Sequence, residues 1–123
     1  MNDRITMLYY QVSRILLTCL KINYIPLLMS SSWFVYLLRC ADNSLYAGIT
    51  TDIERRVKEH NDDNKRAAKY TRARRPVALA YMEKAEDKKC AAQREYRLRK
   101  LNKPAKEALV SQYQEQNNKK TKS

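Results

Sequence analysis

The sequence of 123 residues contains a single glycine, Gly48, where average usage of about 7% would give roughly eight. This chain must therefore build nearly all of its turns from Asn, Asp, Ser and Pro. Gly48 itself lies in SLYAGIT (44–50), a run typical of a β-strand. A glycine inside a strand often marks the close approach of another group. We predict that Gly48 makes room beside a site that binds phosphate.

Two β-rich runs, 33–40 and 44–50, are separated by Ala-Asp-Asn, a cluster that favours a turn. This pattern predicts a β-hairpin. The segment 50–62 is predicted to be a helix, in which Thr51 and Glu54 have the spacing of a capping box. Ile53, Val57 and His60 are spaced so that they mark one face of this helix, which we expect to pack against the sheet.

The rest of the chain predicts one further strand and two long helices. A basic loop or short helix at 63–75 precedes a strand at 76–82. Helices are predicted at about 85–101 and 103–115, with Pro104 in the first turn of the second. The predicted fold class is α+β, a small three-stranded antiparallel sheet flanked by helices in the order ββαβαα.

The chain is predicted to contain one domain, residues 31–115, between a non-conforming extension (1–30) and a disordered basic tail (116–123). The extension is apolar but is interrupted by Arg14 and Lys21, so no uninterrupted apolar run in it is long enough for a membrane span. An amphipathic helix on a membrane surface is one interpretation. We favour an over-long gene start, with the domain beginning near Met29, and no stable membrane insertion.

The chain carries a formal net charge of +12, and +10 remains when residues 1–28 are removed with their three cations and one anion. A basic domain indicates a polyanionic partner, nucleic acid before anionic membrane, although a solvated basic surface is the plainer interpretation. Three scattered cysteines show no metal-site spacing and fit a reducing cytoplasm. With one histidine in the chain, any metal ion must be held by carboxylate and water, which suits Mg²⁺ or Mn²⁺.

Four residues of the first half are spaced so that they converge. The hairpin carries Tyr36 and Tyr46, and Arg56 and His60 lie one helical turn apart on the face that must meet the sheet. Arg55 falls about 100° away, towards solvent. An inward arginine is costly to desolvate unless an anion pairs with it, and a phosphate fits.

Glu95 shares a face of the second long helix with Ala91, Ala92 and Leu98, so we expect an inward carboxylate among apolar positions. The alternative interpretation is purely structural: a buried Arg–Glu ion pair, and tyrosines that are ordinary sheet residues. The combination of these residues favours a functional site.

The ordered set of these residues resembles the GIY-YIG nuclease superfamily. Phe-Val-Tyr (34–36) stands for the first motif, Tyr-Ala-Gly (46–48) for the second, and the arginine follows ten residues after the second tyrosine. The segments 68–81 and 94–110 are most similar to the small stand-alone bacterial members, the YhbQ-like proteins. The likeness covers roughly 33–113.

The resemblance implies a metal-dependent DNA endonuclease, in repair or recombination, that hydrolyses phosphodiester bonds. It implies that Glu95 holds Mg²⁺ or Mn²⁺, that Tyr36 or Tyr46 orients or deprotonates the attacking water, and that His60 relays the proton. Arg56 then neutralises the phosphate and lowers the tyrosine pKa. Which tyrosine is the base stays open, as does the oligomeric state.

One position departs from the family pattern: many members have an asparagine where this chain has Glu107. Together with the degenerate first motif, this keeps a second hypothesis open, a nucleic-acid-binding protein that retains the fold without catalysis. The chain has no separate DNA-reading domain, so we expect low sequence specificity, with single-stranded or branched DNA preferred. Candidate nucleic-acid contacts form a basic track with one aromatic for stacking: Lys65, Arg66, Lys69, Tyr70, Thr71, Arg72, Arg74 and Arg75.

Overall fold

A computed structural model describes residues 32–122, and the predictions for residues 1–30 lie outside this range. Its elements are three strands and four helices: β1 (Trp33–Arg39), β2 (Leu45–Thr50), α1 (Ile53–Asp62), α2 (Lys69–Arg72), β3 (Ala78–Ala85), α3 (Lys88–Lys100) and α4 (Lys103–Lys122). The predicted fold class is confirmed, and the short helix of the basic segment is α2.

The three strands form one antiparallel sheet in the order β2-β1-β3. In the hairpin, Tyr36 pairs with Gly48 and Leu38 pairs with Tyr46. Directly opposed residues of an antiparallel pair point to the same face. The two tyrosines and the glycine therefore share one face of the sheet.

The two faces are covered by different helices. Val35 and Leu37 of β1 belong to an apolar cluster with Ala91 and Leu98 of α3 and Val110 of α4. On the opposite face, the buried cluster is built around Tyr36 and Leu38, and α1 packs against it through Ile53 and Val57. Alternation along one strand thus supplies both cores.

The connection between β1 and β2 needs no glycine. Asn43 adopts a positive φ of 71°, a conformation that asparagine tolerates better than most residues. The turn is closed by hydrogen bonds from the Asn43 amide to the Cys40 carbonyl and from the Cys40 amide to the Ser44 carbonyl, both 2.9 Å long.

The start of α1 differs from the prediction. Asp52, not Thr51, is the N-cap, and its carboxylate accepts a hydrogen bond from the Arg55 amide at 3.0 Å. The capping box of Thr51 and Glu54 is therefore wrong by one residue. Both Thr and Asp are good N-caps, and the choice between them depends on where β2 ends. Here β2 continues to Thr50, whose hydroxyl accepts from the Asp52 amide at 3.1 Å.

The later element boundaries also shift. β3 begins at Ala78 and not at Pro76, and α3 begins at Lys88, after its N-cap Asp87. The α4 helix starts with Asn102 capping the Ala105 amide at 3.0 Å, which places Pro104 in the first turn as predicted. This helix continues to Lys122, so it includes residues 116–122, for which the polar composition predicts disorder. No Gly or Pro follows Pro104 to end the helix. No helix within residues 32–122 is long and apolar enough to cross a membrane.

Candidate active site

The single glycine leaves space for an aromatic ring. A Cβ atom built on Gly48 would lie 2.5 Å from Cζ and 3.0 Å from Cε1 of Tyr36, which is too close for a real side chain. The φ of Gly48 is not positive, so the requirement is for space and not for backbone conformation. The room that Gly48 leaves is filled by the Tyr36 ring. That a phosphate site lies beside Gly48 stays a prediction.

Tyr36 hydrogen-bonds to His60 in the interior. The Tyr36 hydroxyl lies 3.0 Å from His60 Nε2, and the other ring nitrogen, Nδ1, lies 2.7 Å from the Thr71 hydroxyl. Tyr36 is 1% exposed, and His60 and Thr71 are fully buried. Helices α1 and α2 each contribute one residue to this chain of hydrogen bonds, and β1 contributes the third.

Burial keeps both titratable members of this chain neutral. It raises the pKa of Tyr36 to about 12, and the opposing effect of the nearby Arg56 guanidinium is smaller. Burial, followed by the positive charge of Arg56, lowers the pKa of His60 to about 4. Arg56 lowers the pKa of Tyr36, as the resemblance implies, but desolvation of the phenolate is larger, so the net shift of that pKa is upward.

Arg56 is the more inward arginine of α1, as the helical spacing predicts. Its side chain is 23% exposed, against 52% for that of Arg55. One guanidinium nitrogen donates to Glu59 at 2.9 Å and to the Arg66 carbonyl at 2.8 Å. The Arg56 guanidinium is therefore held beside Tyr36 and His60, and its side chain remains partly exposed to solvent.

Tyr46 and Glu95 lie at the edge of the sheet next to this pair. The Tyr46 ring packs edge-on against the His60 ring, with centroids 5.5 Å apart. Burial and then the Glu95 carboxylate raise the pKa of Tyr46, and Glu95 contributes in the same direction to the pKa of Tyr36. Glu95 is half-buried on α3, between the buried Ala91 and Leu98, although Ala92 is exposed and does not share this face.

No residue in the range 32–122 donates a hydrogen bond to Glu95 or forms an ion pair with it. The same range contains no cluster of three or more His, Cys, Asp or Glu side chains that could enclose a metal ion. One carboxylate is nevertheless sufficient for Mg²⁺, which commonly takes one or two carboxylates, with water and substrate phosphate as the other ligands. Glu95 fits that mode of binding.

Two residues of the basic segment (63–75) make contacts inside the protein and are not free to contact nucleic acid. Thr71 was predicted to contact nucleic acid, but its burial prevents this. Arg75 is also turned inward. Its Nε donates to the His60 carbonyl at 2.7 Å and one terminal nitrogen donates to the Asn64 side chain at 2.8 Å, while the other is buried with no partner among residues 32–122.

The other members of the segment lie at the surface. Tyr70 is 38% exposed and stacks on Tyr46 with centroids 5.8 Å apart, and Arg74 lies over the Tyr70 ring at 3.8 Å. Arg74 also pairs with Asp42 at 3.0 Å. A base that stacks on Tyr70 must share the ring with these neighbours. The remaining predicted contacts are exposed: Lys65, Arg66, Lys69 and Arg72.

Glu107 occupies the position where the resemblance predicts an asparagine, and it serves a different purpose. Its carboxylate pairs with Arg39 of β1, and it also accepts from Lys103 at 2.6 Å. These partners lower the pKa of Glu107 to about 2. The residue therefore connects the end of β1 to α4.

Sequence reasoning missed one member of the site, the Thr71 hydroxyl as a partner of His60. Thr71 stands in a run of cations, which indicates a solvated surface, and no local signal sets it apart. Only the packing of α2 against α1 reveals its position.

Comparison with known proteins identifies the family of this chain. The chain belongs to the family of the GIY-YIG catalytic domain, whose sequence model matches residues 32–108. Among curated proteins, it is 51% identical to the UPF0213 protein DP2720 of Desulfotalea psychrophila over 79 residues, 64% of this chain and 71% of the relative. It is 43% identical to the UPF0213 protein YazA of Bacillus subtilis over 83 residues, 68% of this chain and 82% of the relative.

A solved structure is also similar, the solution NMR structure of the UPF0213 protein BH0048 from Bacillus halodurans. It shares 41% identity with this chain, covers 65% of it and 83% of its own length, and gives a TM-score of 0.42. The family model and the curated relatives confirm the resemblance to the GIY-YIG superfamily and to its small members.

Proposed function

We propose that this protein is a metal-dependent DNA endonuclease that hydrolyses phosphodiester bonds with little sequence specificity, acting in the cytoplasm in repair or recombination. The observation that carries the proposal is that Glu95, which has no hydrogen-bond or ion-pair partner among residues 32–122, and Arg56 both lie close enough to Tyr36 and Tyr46 to shift their pKa values. A structural carboxylate would be paired within the protein, as Glu107 is.

Glu95 is the proposed holder of Mg²⁺ or Mn²⁺. When bound, such an ion supplies Lewis-acid stabilisation of the charge that develops on the phosphate and the leaving oxygen. Arg56 is the proposed phosphate contact, because its guanidinium is partly open to solvent beside the tyrosines. Its existing bond to a backbone carbonyl holds it in place before substrate arrives.

Tyr36 and His60 form the proposed proton route. The attacking water gives a proton to the Tyr36 oxygen as the hydroxyl proton of Tyr36 passes to His60 Nε2, 3.0 Å away. Neither a free tyrosinate nor a free imidazolium needs to exist beforehand, which matches the raised pKa of Tyr36 and the lowered pKa of His60. A bound phosphate offsets the charge of Arg56 and so makes His60 easier to protonate. Tyr46, which is less buried, is proposed to orient the water.

The test is cleavage of single-stranded, branched and duplex DNA with Mg²⁺ or Mn²⁺. Glu95→Gln and Arg56→Ala are each expected to reduce the cleavage rate by at least about 10²-fold while DNA binding persists. Arg55→Ala is the matched control for Arg56, since it removes an adjacent, more exposed arginine of the same helix, and it should cleave normally. A chelator should abolish cleavage by the unmodified protein.

The second candidate function is nucleic-acid binding without catalysis. It is favoured by the 1% exposure of Tyr36, which leaves little of its surface for a water molecule to reach in the free protein. Tight binding of all three DNAs without cleavage under either metal would support this candidate and overturn the endonuclease proposal.

A further inference from the structure

His60 lies between two hydroxyl groups, and the direction of its hydrogen bonds decides what it can do. A neutral imidazole carries its proton on one nitrogen, so only the other nitrogen can accept. If Nε2 carries the proton, it points that proton at Tyr36 and can take nothing from it. If Nδ1 carries the proton, Nε2 presents a lone pair to the Tyr36 hydroxyl. Distances alone do not distinguish the two tautomers.

The Thr71 hydroxyl distinguishes them, because its single proton is already used. Thr71 Oγ1 lies 3.0 Å from the Ala68 carbonyl oxygen and donates to it. A carbonyl has no proton to give, so the hydroxyl proton must lie between these two oxygens. Without it, two oxygen lone pairs would face each other at this distance in a buried site. Thr71 Oγ1 therefore presents a lone pair to His60 Nδ1 and accepts a hydrogen bond there.

It follows that the 2.7 Å contact between Thr71 Oγ1 and His60 Nδ1 is an N–H donation from the ring. Nε2 is then unprotonated and accepts from the Tyr36 hydroxyl at 3.0 Å. The same arrangement serves the protonated ring, because an imidazolium also donates from Nδ1. Thr71 does not have to reorient when His60 gains a proton.

We propose that Thr71 is a positioning residue that fixes the tautomer of His60, so that the Nε2 lone pair always faces Tyr36. Its significance for catalysis rests on the proposed nuclease function, but the tautomer itself does not. The backbone enforces the geometry, because the Ala68 carbonyl that orients the hydroxyl also accepts from the Arg72 amide at 3.0 Å and begins α2.

The test uses the fact that His60 is the sole histidine of the chain, so its ring nitrogens give an unambiguous NMR signal. In ¹⁵N-labelled full-length protein at neutral pH, long-range ¹H–¹⁵N spectra should show a pyrrole-type Nδ1 and a pyridine-type Nε2. Thr71→Ser keeps the hydroxyl and should keep this pattern. Thr71→Val keeps the size of the side chain but removes the acceptor, and it should shift the ring towards the Nε2–H tautomer.

The same variants are then assayed for cleavage and for thermal unfolding. We expect Thr71→Val to lower kcat by about 10- to 100-fold, and Thr71→Ser to stay within about 3-fold of the unmodified protein. A structural role alone would lower the unfolding temperature in Thr71→Val without changing the tautomer. An Nε2–H tautomer in the unmodified protein, or an unchanged Nδ1–H tautomer in Thr71→Val, overturns the proposal.

Tyr36→Phe keeps the test decisive if Thr71→Val does not fold. With Thr71 intact, His60 should remain in the Nδ1–H form although its partner at Nε2 is gone. A change of tautomer in Tyr36→Phe would show that Tyr36, not Thr71, sets it. If the unmodified protein cleaves no DNA, the nuclease proposal fails, while the NMR spectra still decide the role of Thr71.

Discussion

The two faces of the sheet are built from the same strands but differ in the kind of interaction that holds the helices against them. On one face, Val35 and Leu37 meet α3 and α4 through apolar contacts, which depend on volume and are non-directional. On the other face, apolar contacts around Leu38 enclose a hydrogen-bonded chain in which each ring nitrogen of His60 has a hydroxyl partner, one from Tyr36 and one from Thr71. The apolar face supplies stability, whereas the polar face holds chemically useful groups in one arrangement.

The largest effect is expected on the apolar face. Leu37 is fully buried, so Leu37→Ala should lower the free energy of unfolding by about 2–5 kcal/mol, because it leaves a cavity between the sheet and α3. Its neighbour on the polar face is the control: Tyr36→Phe removes one hydroxyl and should cost only about 1 kcal/mol while abolishing most cleavage. Denaturant unfolding measures both. Equal losses of unfolding free energy in the two variants would contradict the proposal that the apolar face supplies most of the stability.

His60 should make stability sensitive to mild acid. Its pKa is about 4 in the folded protein and about 6.5 when unfolded, so the unfolded chain binds the proton more readily. The stabilising contribution is complete above pH 6.5 and is lost as the pH falls from 6.5 to 4, by up to about 3 kcal/mol. Unfolding free energies at pH 7.5, 5.5 and 4.5 measure it, and in His60→Gln this dependence should disappear.

Gly48→Ala tests the contact between the hairpin strands on the polar face. The added Cβ overlaps the Tyr36 ring, so we expect a loss of about 1–3 kcal/mol and weaker hydrogen bonding to His60. Tyr36→Leu in the same background removes the ring and should recover part of the stability. If the double variant is as unstable as the sum of the two single variants, the overlap is not the cause.

The smallest effect is expected at Glu107. Arg39 and Lys103 lower its pKa from 4.5 to about 2, so its contribution is present above pH 4.5 and is lost as the pH falls from 4.5 to 2. The carboxylate is about one-third exposed, and solvent screening limits Glu107→Gln to a cost of no more than about 1 kcal/mol. Glu115→Gln, an exposed change on the same helix, should have no effect. Destabilisation that persists at pH 2 would argue against an ionic cause.

The sequence predicts what depends on periodicity. Helical spacing chose Arg56 over Arg55 as the inward arginine, and two β-rich runs around a turn-forming cluster predicted the hairpin. It did not predict what depends on contacts between elements. Thr71 lies in a basic run, but α2 packs against α1 and turns its hydroxyl towards His60. Likewise, spacing indicated that Arg56 is near a tyrosine, but the extent of burial determines the sign of the pKa shift.

The arginines of the basic segment already hold partners of their own, and this limits how the protein can bind a polyanion. Arg72 donates to the Asn64 carbonyl at 2.7 Å, and Arg74 pairs with Asp42. A phosphate that takes Arg74 away from Asp42 leaves that carboxylate to recruit a cation, so fewer ions are released overall. The lysines Lys65 and Lys69 have no side-chain partner within residues 32–122. Binding should therefore weaken less steeply with salt than the count of cations implies, which preserves affinity at physiological ionic strength.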